Sequence, residues 1–300
     1  MSLIKILKQI ILKIEQRQKI VILLGLKDGR LIAYTDHFND RKIQVFNSSM
    51  IIAYTIKDIK SMIRSMIETE DNKLICCSYE ITIIKLNKYD YEIIQIIKEW
   101  SNKVIEITEF NKLLFSQNNS LCFYQSSNNS NQYKLDSEIK FDKNINNMLK
   151  LNQNELALIL DDYFKNISIN IYNLSQRKLV LKLYEIKAKE SGDMCIINNN
   201  KLIVSFYLSL VLIDIENFKV LHEIRTSFGC VNSFCYFKEF IFFSGDDIGD
   251  VIEWKIKNNK IIKIKEYNNG KKAINSIIKY KENSIIVGSD DGFINFYISN

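Results

Sequence analysis

"SIIVGSDDGFINFY", residues 284–297, runs an apolar stretch into a Gly-Ser-Asp-Asp-Gly turn and a second apolar stretch out of it. "VILLGLKDGRLIAY", residues 21–34, has the same form near the other end. With Gly25 placed on Gly288 the offset is 263. Ile11 then meets Ile274, Ile14 meets Ile277, Asp28 meets Asp291, Gly29 meets Gly292 and Tyr34 meets Tyr297. One unit is written twice: strand, loop, strand, tight turn, strand.

Short apolar runs recur between these copies. They begin at Ile22, Leu74, Leu113, Leu156, Leu202, Phe242 and Ile285, with spacings of 52, 39, 43, 46, 40 and 43. A period of roughly 40 to 45 residues with four strands per unit is the signature of a β-propeller blade. Each run is followed by a turn and an alternating strand, such as "ITIIKL" from Ile81 or "VIEWKI" from Val251, and then by a Lys-rich outer strand such as "KIIKIK" from Lys260. β-Branched and aromatic residues dominate these segments, as half-buried pleated strands require. The expected fold is therefore all-β: one domain over residues 1–300, seven blades of four antiparallel strands, with inner repeats centred near 22, 74, 113, 156, 202, 242 and 285.

The chain ends just after the third strand of the last blade. Residues 3–7, ahead of an inner strand near Ile11, are expected to supply the fourth and so remove an open edge. Residues 3–16 also fit an amphipathic helix, because Lys5, Lys8, Gln9, Lys13 and Gln16 share one helical face. The count of strands favours the strand reading.

The apolar share of 47% supports a packed core, and the net charge of +6 is mild for 300 residues. No apolar run approaches the roughly 18 residues of a membrane span. The start of the chain lacks the form of a signal or transit peptide. The six cysteines show no C-x-x-C spacing, and His37 and His222 lie far from any of them in sequence, which argues against a zinc site. Buried free thiols in a reducing, intracellular setting are the expectation.

On period, strand order, terminal closure and turns, the whole chain resembles a seven-bladed WD-repeat β-propeller. "GDDIGDVIEWKI", residues 245–256, carries the resemblance best. Trp254 stands at the family's Trp position, Lys255 replaces its Asp, and the family's Gly-His pair does not occur. The resemblance implies that Asp28, Asp247 and Asp291 are structural turn residues accepting backbone N–H groups. It also implies a protein-interaction scaffold with no cofactor.

The carboxylate pairs Asp161–Asp162, Asp246–Asp247 and Asp290–Asp291 have the form of acid and base partners. Their recurrence in equivalent turns points to a structural job instead. No phosphate loop, nucleophile elbow or zinc-protease helix occurs. A non-enzymatic protein is expected. Aromatic residues at turns, namely Tyr79, Tyr163, Phe164 and Tyr207, and in the loops leading to inner strands, Trp100 and Phe228, form a candidate protein-binding face with Arg30 and Arg225. The alternative is an anion-binding edge for RNA or an acidic surface, built from Lys255, Lys257, Lys260, Lys263, Lys265, Lys271 and Lys272.

Overall fold

A computed structural model describes residues 10–13, 18–37, 40–57, 59–108, 112–126, 132–162, 166–187, 191–226, 229–268 and 272–298. The fold is an all-β, seven-bladed β-propeller, and every sheet has four antiparallel strands. The chain begins with β1 (Ile10–Lys13). The first blade is β2 (Lys19–Gly25), β3 (Leu31–Asp36), β4 (Lys42–Phe46) and β5 (Ile52–Ile56). The second is β6 (Ser65–Glu68), β7 (Lys73–Cys77), β8 (Ile81–Leu86) and β9 (Tyr91–Ile97). The third is β10 (Lys103–Ile107), β11 (Lys112–Gln117), β12 (Ser120–Ser126) and β13 (Tyr133–Lys140). The fourth is β14 (Asn144–Lys150), β15 (Glu155–Asp161), β16 (Ile167–Asn173) and β17 (Lys178–Ile186). The fifth is β18 (Ser191–Ile197), β19 (Lys201–Phe206), β20 (Ser209–Asp214) and β21 (Lys219–Arg225). The sixth is β22 (Val231–Lys238), β23 (Ile241–Asp246), β24 (Asp250–Lys257) and β25 (Lys260–Asn268). The last joins β26 (Ile274–Lys279), β27 (Ser284–Ser289) and β28 (Phe293–Ile298) to β1.

The N-terminal strand closes the last blade, with Ile10 opposite Phe296 and Lys13 opposite Phe293. It lies at Ile10–Lys13 rather than at residues 3–7, which fall outside the described residues. The segment around Ile11 is thus the outer strand of the last blade, not the inner strand of the first. The first blade is shifted accordingly. The run from Ile22 is β2, the first strand of its sheet, whereas the other six runs lie in second strands. Leu31, at the start of β3, is 43 residues from Leu74, so the true repeat removes the anomalous interval of 52.

By compactness the chain forms two units, Met1–Asp58 with Gly192–Asn300, and Ile59–Ser191. In each, the core lies between adjacent blades. In the first unit, Val231, Phe234 and Trp254 pack with Ile203, Leu210 and Leu212, and Ile20, Leu23 and Leu31 pack with Ile286, Ile294 and Phe296. In the second, Ile75, Ile81 and Ile83 meet Val104, Leu113 and Phe115, while Leu114 and Phe123 meet Leu158 and Tyr172. Second and third strands are covered on both faces, which is why they read as continuous apolar runs.

Asparagine takes over much of the turn work for which glycine is the usual residue. Asn72, Asn118, Asn198, Asn199, Asn258 and Asn259 all have positive φ. Their short side chains tolerate that region best among non-glycine residues. Asn258 and Asn259 form the two-residue loop of the β24–β25 hairpin, where Lys257 faces Lys260. Nine glycines therefore suffice for seven blades.

Candidate functional site

The second unit gathers an aromatic and cationic group at one end of its first blade. Tyr79 occupies the β7–β8 turn and is 66% exposed. Arg64, just before β6, donates its backbone N–H to the Cys77 carbonyl at 2.8 Å. Its guanidinium lies 5.7 Å from the centre of the Trp100 ring. The Ser101 N–H bonds the Ser78 carbonyl at 2.8 Å, tying the Trp100 loop to the Tyr79 turn. The Ser61 and Ser78 hydroxyls also bond each other, and Met62 beside them is exposed. Backbone hydrogen bonds thus tie the Tyr79 turn, the Trp100 loop and the Arg64 segment into an aromatic rim beside a cation. Arg64 and Met62 were not among the expected residues, because "MIRSM" at residues 62–66 carries no turn or aromatic signal.

In the first unit, Tyr207 and Leu208 form the exposed β19–β20 turn. Arg225 ends β21 opposite Ser209, and the Thr226 N–H donates to the Leu208 carbonyl at 2.8 Å. Tyr207 and Arg225 therefore share one end of their blade. Arg30 does not belong with them. It lies in the β2–β3 turn, between first and second strands, at the opposite end of a blade from a turn between second and third. Its Nε donates to Asp28 Oδ2 at 2.7 Å and its Nη1 to the Tyr54 hydroxyl at 2.9 Å, so it braces its own blade. Tyr163, Phe164 and Phe228 lie outside the described residues.

Several of the lysines lie along β24 and β25, and neighbours engage two of them. Lys263 pairs with Glu266. The Lys265 ammonium sits 4.6 Å from the Tyr267 ring centre, and the Tyr267 hydroxyl donates to Glu253 Oε2 at 3.0 Å. Exposed Ile262 and Ile264 interrupt the charge along β25. Lys255 is half-buried, and Lys257, Lys260 and Lys272 are exposed; Lys271 lies outside the described residues. His222 on β21 accepts the Ile261 N–H at 3.2 Å through Nδ1, and His37 is exposed.

The aspartate pairs are engaged in their turns. Asp28 Oδ1 accepts the Arg30 N–H at 3.1 Å, and Asp291 Oδ1 accepts the Phe293 N–H at 3.3 Å. In the sixth blade the acceptor is Asp246 rather than Asp247. Its Oδ1 takes the N–H groups of Ile248, Gly249 and Asp250 at 3.2, 2.9 and 2.8 Å. Asp290 accepts from Asn275 Nδ2 at 2.7 Å and pairs with Lys19 at 2.9 Å. Asn146 donates to Asp161 at 3.3 Å. Burial of the thiols pushes Cys122 and Cys195 up to about 12, which keeps them protonated at neutral pH.

Asp246 gives a pH prediction. It is 1% exposed and its Oδ2 has no hydrogen-bond partner among the described residues. Burial pushes its carboxyl up to about 6, against 3.8 for an ordinary aspartate. The folded state then holds a proton that the unfolded chain has released. The resulting stabilisation is complete below about pH 4 and is lost as pH rises through about 6. A shift of this size corresponds to about 3 kcal/mol. Asp246→Asn keeps the Oδ1 acceptor without the charge. Urea unfolding from pH 4 to 7.5 should show a flatter stability profile for the variant and a gain of about 1 kcal/mol at pH 7.5. An unchanged profile would mean that Asp246 is ionised throughout.

Among the described residues no group of three His, Cys, Asp or Glu side chains is placed to hold a metal ion, and no helix is long and apolar enough to cross a membrane. No family model matches the chain, and no curated protein matches it.

Proposed function

We propose that this propeller is a non-enzymatic protein-interaction scaffold of the WD-repeat kind, acting inside the cell as one member of a larger assembly. The observation that carries the reading is the rim of Arg64, Tyr79 and Trp100, with Met62 beside it. Backbone hydrogen bonds fix the loops that carry these side chains, and Arg64 is held further by the Trp100 ring and by Asn102 Oδ1 at 3.3 Å, which limits the freedom lost when a partner covers them. Aromatic and arginine side chains of this kind dominate interface energetics. Kinship to WD repeats draws support from Trp254, which is buried at the expected strand position with its indole N–H on Ser244 Oγ at 2.8 Å. An RNA-binding edge is the weaker alternative, because Glu266 and Tyr267 already engage Lys263 and Lys265.

The test is affinity capture from native lysate, with and without nuclease, using the parent chain and the variants Tyr79→Asp and Tyr207→Asp. A short, stoichiometric, nuclease-resistant partner set should disappear with Tyr79→Asp while circular dichroism and the thermal midpoint stay unchanged. A partner set that survives both substitutions removes the aromatic rim from consideration. A set that vanishes on nuclease treatment, and that Lys260→Glu and Lys265→Glu weaken, transfers the function to the lysine edge.

A further inference from the structure

Between the third and fourth blades, within the second unit, lies a cavity of about 450 Å³. That volume suits a small metabolite. Five cations line it, Lys140, Lys143, Arg177, Lys178 and Lys182, against a single acid, Asp142. Nearby carboxylates balance some of this charge. Lys140 is 3.9 Å from Glu138, while Lys143 and Lys182 share Glu185 at 3.6 and 2.9 Å. Arg177 and Lys178 form no ion pair within 4 Å among the described residues, although the Arg177 charge reaches Asp136 and lowers its carboxyl. Asp136 and its partner Lys112, at 2.7 Å, join the count, and two positive charges remain once Glu138, Glu185, Asp142 and Asp136 are set against the six cations, which matches a dianion.

The remaining walls are apolar and polar in separate parts. Ile139, Phe141 and Leu179 give an apolar side, and Ser168, Asn170 and Tyr172 a polar one. Tyr172 is fully buried and its hydroxyl has no hydrogen-bond partner among the described residues. Burial pushes that hydroxyl up to about 12, so it remains a proton donor at neutral pH. The cavity is built in advance of any ligand. The Phe141 ring meets the Tyr172 ring edge-on at 5.9 Å. Asn119 fixes the Phe141 loop from both sides, its Nδ2 donating to the Phe141 carbonyl and its own carbonyl accepting the Phe141 N–H, each at 2.8 Å. Arg177, a lining residue, has a φ of 51°, and its guanidinium also rests 5.6 Å from the Phe123 ring centre.

We infer that this cavity binds a small phosphomonoester, with the phosphate dianion held by Arg177 and Lys178 and the organic part against Phe141 and Leu179. A guanidinium fork suits phosphate better than an ammonium alone. A net excess of two positive charges favours a dianion over a singly charged carboxylate.

Calorimetric titration of the full chain with phenyl phosphate, inorganic phosphate and benzoate tests the inference. Phenyl phosphate should bind at least tenfold more tightly than benzoate. Inorganic phosphate, lacking the ring, should bind more weakly than phenyl phosphate. Arg177→Asn removes the charge while keeping a residue that tolerates positive φ, and Lys178→Gln alters only an exposed side chain. Each should weaken phenyl phosphate binding about tenfold with the thermal midpoint of the free protein unchanged. Absence of binding at millimolar phenyl phosphate overturns the inference. So do equal affinity for benzoate and an affinity that neither substitution changes.

Discussion

Replacing Trp254 by alanine should lower the unfolding free energy by about 4 kcal/mol, the range for truncating a large buried aromatic. The indole is 2% exposed. It lies opposite Phe242 across the β23–β24 pair, with the two rings stacked at 6.3 Å and only 14° between their planes. It also belongs to the cluster that joins the fifth and sixth blades through Leu212, Phe234 and Ile252. Truncation removes contacts in both directions and leaves a void where two sheets meet. Ser244 would lose its indole donor as well. Trp254→Phe separates the terms, since it keeps much of the packing and deletes the N–H; a loss of about 1 to 2 kcal/mol is expected. Urea unfolding followed by far-UV circular dichroism reads both. An alanine variant losing under 1 kcal/mol would show that the blade junction repacks around the gap.

Gly245→Val should cost about 3 kcal/mol or more, the upper range for overpacking a tight interior. Gly245 sits in β23, facing the inner strand of the last blade. A Cβ there would stand 2.3 Å from Ile274 Cγ2, 2.7 Å from Ile274 Cβ and 2.9 Å from Ile277 Cδ1. Ile274 is β-branched and completely buried, so its Cβ cannot swing aside. Gly288 holds the same place one blade later, where a Cβ would stand 2.6 Å from Ile20 Cγ2. These two glycines set how closely consecutive blades approach. Gly245→Ala should cost roughly half as much as the valine change. Thermal unfolding of both variants measures the series. Midpoints equal to that of the parent chain for both variants would show that the blades yield freely.

The true counterpart of Gly288 is therefore Gly245, not Gly25, whose added Cβ would meet only Ile278 Cδ1 at 3.8 Å. That distinction was not legible in the local pattern. "VILLG" and "SIIVG" are both aliphatic runs that end in Gly, and each leads into an Asp-Gly turn. First and second strands of a blade both sit between neighbouring sheets, so apolarity alone does not separate them. The interval of 52 residues between Ile22 and Leu74 was the trace of the shift. The same shift put Arg30 and Asp28 at the wrong end of their blade. The turn acceptor in the sixth blade was off by one residue for a related reason. "GDD" offers two carboxylates, and only the strand's final orientation selects Asp246.

The sequence by itself determined the seven four-stranded units and the use of an N-terminal strand to finish the last one. Period, β-branched runs and turn residues are local properties that repeat along the chain, and they survive without any knowledge of packing. It also marked Tyr79 and Trp100 as aromatic residues where small polar ones would serve. Only the tertiary structure decided which of these residues meet. Arg64 reaches Trp100 because backbone bonds join loops that lie far apart along the chain. The cationic cavity draws Lys140 from the end of β13, Lys143 from the loop that follows it, and Arg177, Lys178 and Lys182 from the hairpin of the next blade. Such a cavity exists only where two twisted sheets pack side by side, and no single stretch of the chain encodes the space between them.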